Sequence, residues 1–308
     1  MKTKAQLQAE IARDHSAVLI VNTFSRHGEQ MFFRSLDGLI ARNLNITASY
    51  PVRHPRQMPE VAQEALARNP SLVIIGGGDG TISSLMDYFA YRDVVVGLLP
   101  LGTGNSFVRG LGIPLELGAA MDVIANGKVV DVDLGKVNDN YFSNMVAIGF
   151  SADVAHDMPH KLKRVFGPLA YGLQAIKHIL KAQKFHMTLT FDGETYTADS
   201  YQVLIANGSG FGLAPITPGA HVADQQLTVL ALKAINRWEL LDFWGRSILG
   251  KHRQMKHIKH FTTQQLTIQT IPPRTLDIDG EQGVQTPVTI TLAPEALKVM
   301  APQSFQEP

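Results

Sequence analysis

Short apolar runs alternate with helix-like stretches through the first third of the chain, and this alternation restricts the fold more than any other feature. The runs AVLIVN, LVIIGG and VVVGLLP are rich in β-branched residues and predict buried strands. Between the first two runs, apolar residues in the stretch 29–43 recur at helical spacing. Fully apolar strands separated by helices are typical of a parallel sheet covered on both faces. We therefore predict an α/β domain over residues 1–132, in which a helix over 115–126 ends at Gly127.

The pattern changes after about residue 132. The runs YFSNMVAIGF, FHMTLTFDG, QLTVLAL, FTTQQLTIQT and PVTITLA, among others, are strand-like, and Gly, Asp and Pro turns join them. Several alternate with period two, as antiparallel strands with one solvated face do. Two helical stretches, about 159–182 and 236–250, interrupt the strands. These features predict an antiparallel β-sandwich domain over residues 133–294, after which the tail over about 295–308 could return to the first domain.

Charge and cysteine content exclude several classes of protein. The 308 residues carry a formal net charge of +1 and include no cysteine. Nucleic-acid binding by bulk charge, disulfides and thiolate metal sites are therefore not expected. The N-terminus lacks the apolar segment of a signal peptide, and no apolar run approaches the roughly 18 residues of a spanning helix. We interpret the chain as cytoplasmic, with contact to a membrane surface still open.

Two glycine-rich segments follow neighbouring predicted strands. The first is the segment GGGDGT at residues 76–81, and the second is GTGN at residues 102–105. Glycines that expose backbone N–H groups at a helix N-terminus allow a phosphate to approach. The alternative is a tight strand-to-helix turn, for which one or two glycines would suffice. Because the carboxyl ends of parallel strands share one edge of a sheet, the two segments predict one ligand crevice.

These segments also resemble a known family. GGDGT and LGTGNSFVRGLGIP, followed in order by VDVDLGKVN, YFSNMVAIGFSADV and LDIDGE, are similar to the diacylglycerol kinase catalytic domain family of bacterial diacylglycerol kinase-like and sphingosine kinase-like lipid kinases. The resemblance covers nearly the whole chain. It implies an ATP-binding α/β domain, a β-sandwich domain and an active site between them. NAD kinases share the GGDGT loop, so a soluble-substrate kinase is the alternative, and a nucleotide-binding regulatory module without turnover is a third reading.

The resemblance implies a set of nucleotide-binding residues. They are Asn22, Ser25, Gly77, Gly78, Asp79, Gly80, Thr81, Thr103 and Asn105. The first-strand loop departs from the family's usual NPxSG, since it reads NTFSR here. Ser106 stands where many members have aspartate, and we expect its side chain to cap the helix that follows.

The acid–base candidates lie in the segment LDIDGE. Taken alone, an Asp-Gly pair between strands is more often an ordinary hairpin turn, as we interpret the similar FDGE at residues 191–194. The resemblance instead implies that Glu281 is the general base and that Asp279 is its partner or a metal-organising acid.

A magnesium site is implied by the segment HVADQQL. The resemblance assigns Mg²⁺ to the carboxylate of Asp224 and the backbone carbonyls of His221 and Gln226, which are the oxygen ligands that a hard cation prefers. The alternative is a solvated loop.

Together these features predict an ATP- and Mg²⁺-dependent lipid kinase that phosphorylates a hydroxyl of a membrane lipid. The expected location is cytoplasmic, with peripheral and transient attachment to the membrane surface. No nucleic-acid partner is expected, and the oligomeric state, including a homodimer, is open.

Overall fold

A computed structural model describes residues 2–24, 27–157, 179–208, 220–248, 255 and 257–307. The chain forms two compact units. The first consists of Met1–Leu134, His221–Gln225 and Ala293–Pro308, and the second consists of Gly135–Ala220 and Gln226–Leu292.

Helices and strands alternate in the first unit. In chain order they are α1 (Lys4–Asp14), β1 (Ser16–Asn22), α2 (Gly28–Ile40), β2 (Asn45–Val52), a 3-10 turn (Pro55–Gln57), α3 (Met58–Ala67), β3 (Leu72–Gly77), α4 (Asp79–Phe89), β4 (Val95–Pro100), α5 (Ser106–Gly110) and α6 (Leu117–Asn126).

The strands of this unit form a parallel sheet in the order β2-β1-β3-β4. Every residue of β3 and β4 is buried, as expected for strands covered on both faces. Near the end of the chain, Lys298 and Val299 pair in parallel with β4. The carboxyl ends of β1, β3 and β4 therefore lie side by side at one edge of the sheet.

The second unit is mainly antiparallel. Its elements are β6 (Asn140–Phe142), β7 (Met145–Gly149), α7 (Phe150–Asp157), β8 (Phe185–Phe191), β9 (Glu194–Ala206), β10 (Leu227–Lys233), α8 (Glu239–Ile248), β11 (Ile258–Thr263), β12 (Gln265–Ile271), β13 (Thr275–Ile278) and β14 (Glu281–Gln285). Two further strands, β5 (Lys128–Val137) and β15 (Val288–Ala301), have residues in both units.

Two hydrophobic clusters cover the two faces of β9. Val203 and Ile205 belong to a cluster formed between strands, whereas Leu204 and Ala206 belong to a cluster that includes side chains of α7 and α8. This division follows from the period of two along a strand. The sheet therefore packs against other strands on one face and against helices on the other.

The predicted fold class, a parallel α/β region followed by an antiparallel β-rich domain, is confirmed. Several details differ. Helix α1 was not anticipated, FTTQQLTIQT divides into β11 and β12, and a helix begins at Phe150 within the segment read as a strand. Most of the helix expected over 159–182 lies outside the described residues.

Candidate active site

The first strand is tied to the GGDGT segment by a side-chain hydrogen bond. Asn22, the last residue of β1, donates from Nδ2 to the Oγ1 of Thr81 at 2.8 Å. Its Oδ1 accepts a bond of 3.0 Å from the backbone nitrogen of Phe24. Two of the residues predicted to bind the nucleotide are thus brought together, with Thr81 held in the first turn of α4.

Helix α4 begins immediately after β3. Gly78 is its N-cap and offers no capping side chain, while its carbonyl oxygen accepts from Thr81 N at 3.0 Å and Ile82 N at 3.1 Å. The first N–H groups of a helix lack intrahelical partners and carry the positive end of the helix dipole. This end of α4 is therefore suited to an anion.

The glycines of the first segment serve two different purposes. A Cβ on Gly77 would lie 2.5 Å from the Cβ of Thr81, and one on Gly78 would lie 3.0 Å from the Cα of Gly102. A Cβ on Gly102 would in turn overlap the Cα of Gly78. A Cβ on Gly80, by contrast, would meet nothing within 4 Å. Packing therefore requires glycine at three of these positions, whereas Gly80 borders open space.

Asp79 joins the two glycine segments. Its Oδ1 accepts hydrogen bonds from Ser106 N at 2.6 Å and from Phe107 N at 3.4 Å, at the start of α5. The prediction that the Ser106 side chain caps this helix was wrong. The helix begins at Ser106 itself, its N-cap Asn105 makes no side-chain capping bond, and the carboxylate of Asp79 supplies the acceptor.

Asn105 shapes the second segment. It is buried, has a positive φ of 49° and bonds through both ends of its amide to Gly102. Its Oδ1 accepts from Gly102 N at 3.1 Å, and its Nδ2 donates to Gly102 O at 2.9 Å. Thr103 is exposed at the tip of the segment, and Ser25 lies outside the described residues.

An aromatic pair near the end of β1 was not predicted from the sequence. The Phe24 side chain is 65% exposed, and its ring centroid lies 6.1 Å from that of His54, which follows β2. The available signal was an aromatic residue placed directly after a buried strand, two positions beyond Asn22. These rings lie at the carboxyl ends of β1 and β2, beside the strands that carry the glycine segments.

The Asp279–Glu281 turn is anchored by its aspartate. Asp279 (φ 50°) and Gly280 (φ 92°) both have positive φ, as a type I′ hairpin requires. The residue Asp279 is 7% exposed, and its carboxylate accepts four hydrogen bonds. Oδ2 accepts from Ser143 N at 2.7 Å and Ser143 Oγ at 2.9 Å, and Oδ1 accepts from Asn144 N and Met145 N, each at 2.9 Å. This carboxylate therefore fixes the turn against the start of β7 and the two residues before it.

Glu281 is the exposed carboxylate of that turn. It is the first residue of β14 and pairs with Ile278 of β13. Glu194 stands in a matching position after Asp192 (φ 48°) and Gly193 (φ 80°). Both turns have positive φ at the Asp and the Gly, yet Asp192 accepts only one side-chain bond among the described residues, of 3.0 Å from Thr263 Oγ1. Anchoring, rather than backbone conformation, distinguishes the two turns.

The predicted magnesium ligands lie in one short segment of the chain. His221 and Asp224 form a turn of the first unit, in which Asp224 Oδ2 accepts from His221 N at 2.9 Å and His221 O accepts from Asp224 N at 3.2 Å. Gln226 is assigned to the second unit. Within the described part of the chain, no three His, Asp or Glu side chains cluster as a metal site would require.

The surroundings of Asp224 are nevertheless acidic. Asp133 accepts from Gln225 N at 2.7 Å and Glu295 N at 2.9 Å. Burial raises the pKa of Asp133, and the negative charges of Asp224 and Glu295 raise it further against those two bonds. Carboxylate and carbonyl oxygens with excess negative charge are compatible with a hard divalent cation.

A parallel sheet with two glycine segments at the carboxyl ends of adjacent strands defines an α/β class whose ligands bind at that edge of the sheet, here combined with a β-rich unit. Comparison with models of protein families identifies the family. The model of the diacylglycerol kinase catalytic domain matches residues 16–137, and that of the YegS C-terminal NAD kinase beta sandwich-like domain matches residues 144–301. The chain belongs to the diacylglycerol kinase catalytic domain family, and it is a lipid kinase at the level of that family.

Similar proteins agree with this assignment. A diacylglycerol kinase of Staphylococcus saprophyticus is 25% identical over 285 residues, covering 91% of this chain and 93% of the relative. A diacylglycerol kinase of Staphylococcus aureus strain Newman is 26% identical over 284 residues, covering 90% of each chain.

Solved structures share the fold. A Bacillus anthracis protein described as a candidate diacylglycerol kinase superposes with a TM-score of 0.82 at 24% identity, covering 95% of this chain and 97% of that one. A second structure of a diacylglycerol kinase from the same organism gives a TM-score of 0.74 at 20% identity, covering 95% and 98%. None of the helices in the described residues is long and apolar enough to cross a membrane.

Proposed function

We propose that the protein transfers the γ-phosphate of ATP to a hydroxyl group of a membrane lipid such as diacylglycerol. The observation that carries the proposal is the bond from Ser106 N to Asp79, which fastens the two glycine segments together while Gly80 borders open space at the start of α4. Membership of a lipid-kinase family supports the choice of acceptor.

The nucleotide half of the proposal rests on the first unit. The phosphates bind at the N-terminus of α4, where N–H groups and the helix dipole favour negative charge. Neighbouring strands lie about 4.8 Å apart, so an extended nucleotide can follow the edge of the sheet from β3 toward β1 and β2. The exposed ring of Phe24, with His54 beside it, then offers an aromatic surface for the base.

The part of the proposal that concerns the lipid acceptor is based on residues of the second unit. Glu281 takes the proton of the lipid hydroxyl as its oxygen attacks the γ-phosphorus, and the bond from that phosphorus to the β–γ bridging oxygen breaks to release ADP. The exposure of Glu281 leaves its carboxylate accessible to a substrate. Asp279, whose oxygens already accept four bonds, keeps the turn in position instead of acting as the base.

The metal would be held by oxygen ligands. A bound Mg²⁺ supplies positive charge that offsets the phosphate charge. Asp224 provides a carboxylate, and the His221 carbonyl keeps a second lone pair beside its bond from Asp224 N. The charges of Asp133 and Glu295 favour a cation in this neighbourhood.

The test is the transfer of radiolabelled γ-phosphate to a panel of lipids in vesicles or mixed micelles, with NAD included as a soluble acceptor. We expect labelled lipid that depends on both ATP and Mg²⁺, and no labelled NAD. Labelling of NAD with no labelled lipid would overturn the proposal in favour of a soluble-substrate kinase. ATP binding without labelling of any acceptor would indicate a regulatory module.

A further inference from the structure

An exposed apolar cluster lies at the beginning of α8 in the second unit. Leu180 is 53% exposed, Ile235 56%, Trp238 54% and Leu241 41%. We call these four residues the Trp238 surface. Large apolar side chains grouped on a surface indicate an interaction site more often than the same side chains scattered singly.

Hydrogen bonds hold this surface together. Arg237 donates from Nη1 to the backbone oxygen of Leu180 at 2.6 Å, which joins the two chain segments. Asn236 accepts from Trp238 N at 2.9 Å and Glu239 N at 3.2 Å through Oδ1, and it thereby caps the start of the helix. Trp238 and Leu241 are three residues apart and so lie on the same side of the helical turn.

The core of the unit does not need these side chains. Leu240 and Phe243 are buried in the cluster that covers the helix-facing side of the sheet. They occupy the inner face of α8, so the apolar residues on its outer side are not part of the core. Helix α8 therefore has apolar side chains on two faces, one of them turned to solvent.

Basic residues outnumber acidic ones around this surface, although Glu239 and Asp242 lie in the first turn of α8. Asp199 is paired with Lys184 at 2.8 Å and with His186 at 3.1 Å, and Asp242 is paired with Arg246 at 2.7 Å. Lys181, Lys233 and Arg237 are exposed and form no ion pair with any residue that the structure describes. These cations border the apolar residues.

We propose that the Trp238 surface docks the protein on the surface of an anionic lipid bilayer. Tryptophan is enriched at the membrane interface, leucine and isoleucine partition into its apolar side, and basic residues attract anionic headgroups. The juxtaposition of exposed apolar residues and exposed cations fits a bilayer better than a second copy of the chain, because the cations of two copies would repel each other. The inference rests on the proposed function in one respect, which is that the lipid acceptor lies in a bilayer.

The experiment is sedimentation of the full-length protein with vesicles of phosphatidylcholine, with and without phosphatidylglycerol. The double variant Trp238→Ser, Leu241→Ser should bind anionic vesicles about tenfold to hundredfold more weakly than the wild type, since it removes two large apolar groups. The matched control is Phe33→Ser, Ile40→Ser on α2, whose side chains are 60% and 54% exposed. This control should bind like the wild type. Lys181→Gln, Arg237→Gln should reduce the preference for anionic over neutral vesicles.

Equal vesicle binding by the wild type and the Trp238→Ser, Leu241→Ser variant would overturn the proposal. So would a wild-type dimer that this variant converts to a monomer without change in vesicle binding, because the surface would then be a subunit interface. Kinase assays separate this inference from the proposed function. The variant should keep wild-type turnover on an acceptor dispersed in detergent micelles, and vesicle binding remains measurable even if no lipid is phosphorylated.

Discussion

The carboxylate of Asp79 accepts a hydrogen bond of 2.6 Å from the backbone nitrogen of Ser106, 27 residues further along the chain. Asp79 opens α4 and Ser106 opens α5, so a single side chain caps a helix that begins in the neighbouring loop. The backbones of Gly78 and Gly102 also lie close together, so the two glycine segments pack against each other. We therefore expect a ligand at the start of α4 to meet a preorganised site.

Removal of the Asp79 carboxylate should loosen both segments. We expect Asp79→Ala to lower the free energy of unfolding by about 1 kcal/mol, the usual contribution of a helix cap, and to weaken ATP binding. Asp79→Asn retains an acceptor oxygen and should recover most of the stability. Chemical denaturation and calorimetric ATP titration measure the two effects, and an Asp79→Ala protein of wild-type stability would contradict the capping role.

Gly80 offers a cleaner test of phosphate binding than Gly78. A side chain at Gly78 would press on the Gly102 backbone, whereas a Cβ at Gly80 meets no protein atom within 4 Å. Because alanine favours helix over glycine by roughly 0.5–1 kcal/mol, Gly80→Ala should fold at least as stably as the wild type. We expect its ATP affinity to fall about tenfold or more, since the methyl group would occupy space needed by the phosphate.

Gly245→Ala is the matched control for Gly80→Ala. Gly245 lies in α8, and a Cβ there also meets nothing within 4 Å. This variant should bind ATP normally. Unchanged ATP affinity in Gly80→Ala would show that the open space at α4 is not a phosphate site.

Glu281 and Glu194 begin strands after turns of the same backbone conformation, which makes them a natural pair for mutation. Glu281→Gln keeps the size of the side chain and removes its basicity. We expect turnover to fall on the order of a hundredfold to ten-thousandfold, the range typical of a general base, with little change in ATP affinity. Glu194→Gln should leave turnover nearly unchanged, and if both variants turn over like the wild type, another residue is the base.

Asp279 should behave as a structural residue of the same turn. In Asp279→Asn, an NH₂ group replaces one acceptor oxygen and leaves buried donors of Ser143 or its neighbours without a partner. The free energy of unfolding should fall by about 1–3 kcal/mol, and turnover should fall with it because the position of Glu281 relaxes. Denaturation curves of Asp279→Asn and Asp192→Asn provide the comparison, since Asp192 accepts fewer hydrogen bonds from the described residues. An equally small loss in both variants would argue against the anchoring role.

Magnesium should stabilise the folded protein through Asp224. A ligand that binds only the folded state adds about 2.7 kcal/mol to the free energy of unfolding when its concentration is a hundred times its Kd. We expect thermal denaturation of the wild type to shift upward with Mg²⁺ and that of Asp224→Asn to shift much less. Asp139→Asn, at an exposed turn, controls for general ionic effects. An equal shift in all three proteins would place the cation elsewhere.

Local sequence patterns were sufficient for the fold class. Buried strands such as β3 and β4 are continuous apolar runs, and the antiparallel strands β8 and β12 alternate with period two. The glycine segments were recognisable because the constraint at each glycine is local to its backbone. Their position after adjacent strands was sufficient to predict a shared edge of the sheet.

Helix boundaries and side-chain partners required the tertiary structure. The residues FSADV continue an apolar run, and only packing against the sheet shows that a helix begins at Phe150. Ser106 has the chemistry of a cap, yet Asp79 performs that role because the sheet brings its loop within hydrogen-bonding distance.

The two Asp-Gly turns show most clearly what depends on local sequence and what depends on the tertiary structure. The sequences FDGE and IDGE predict the same hairpin, and the φ angles of Asp192 (48°) and Asp279 (50°) agree closely. What differs is the partner: Asp279 meets three consecutive backbone N–H groups that lie 134 to 136 residues earlier in the chain. The sequence by itself thus determined the local conformations, because these depend on neighbouring residues and on the period of burial. Only the tertiary structure decided which carboxylate is anchored and which stays exposed, because those contacts join residues that no local pattern relates.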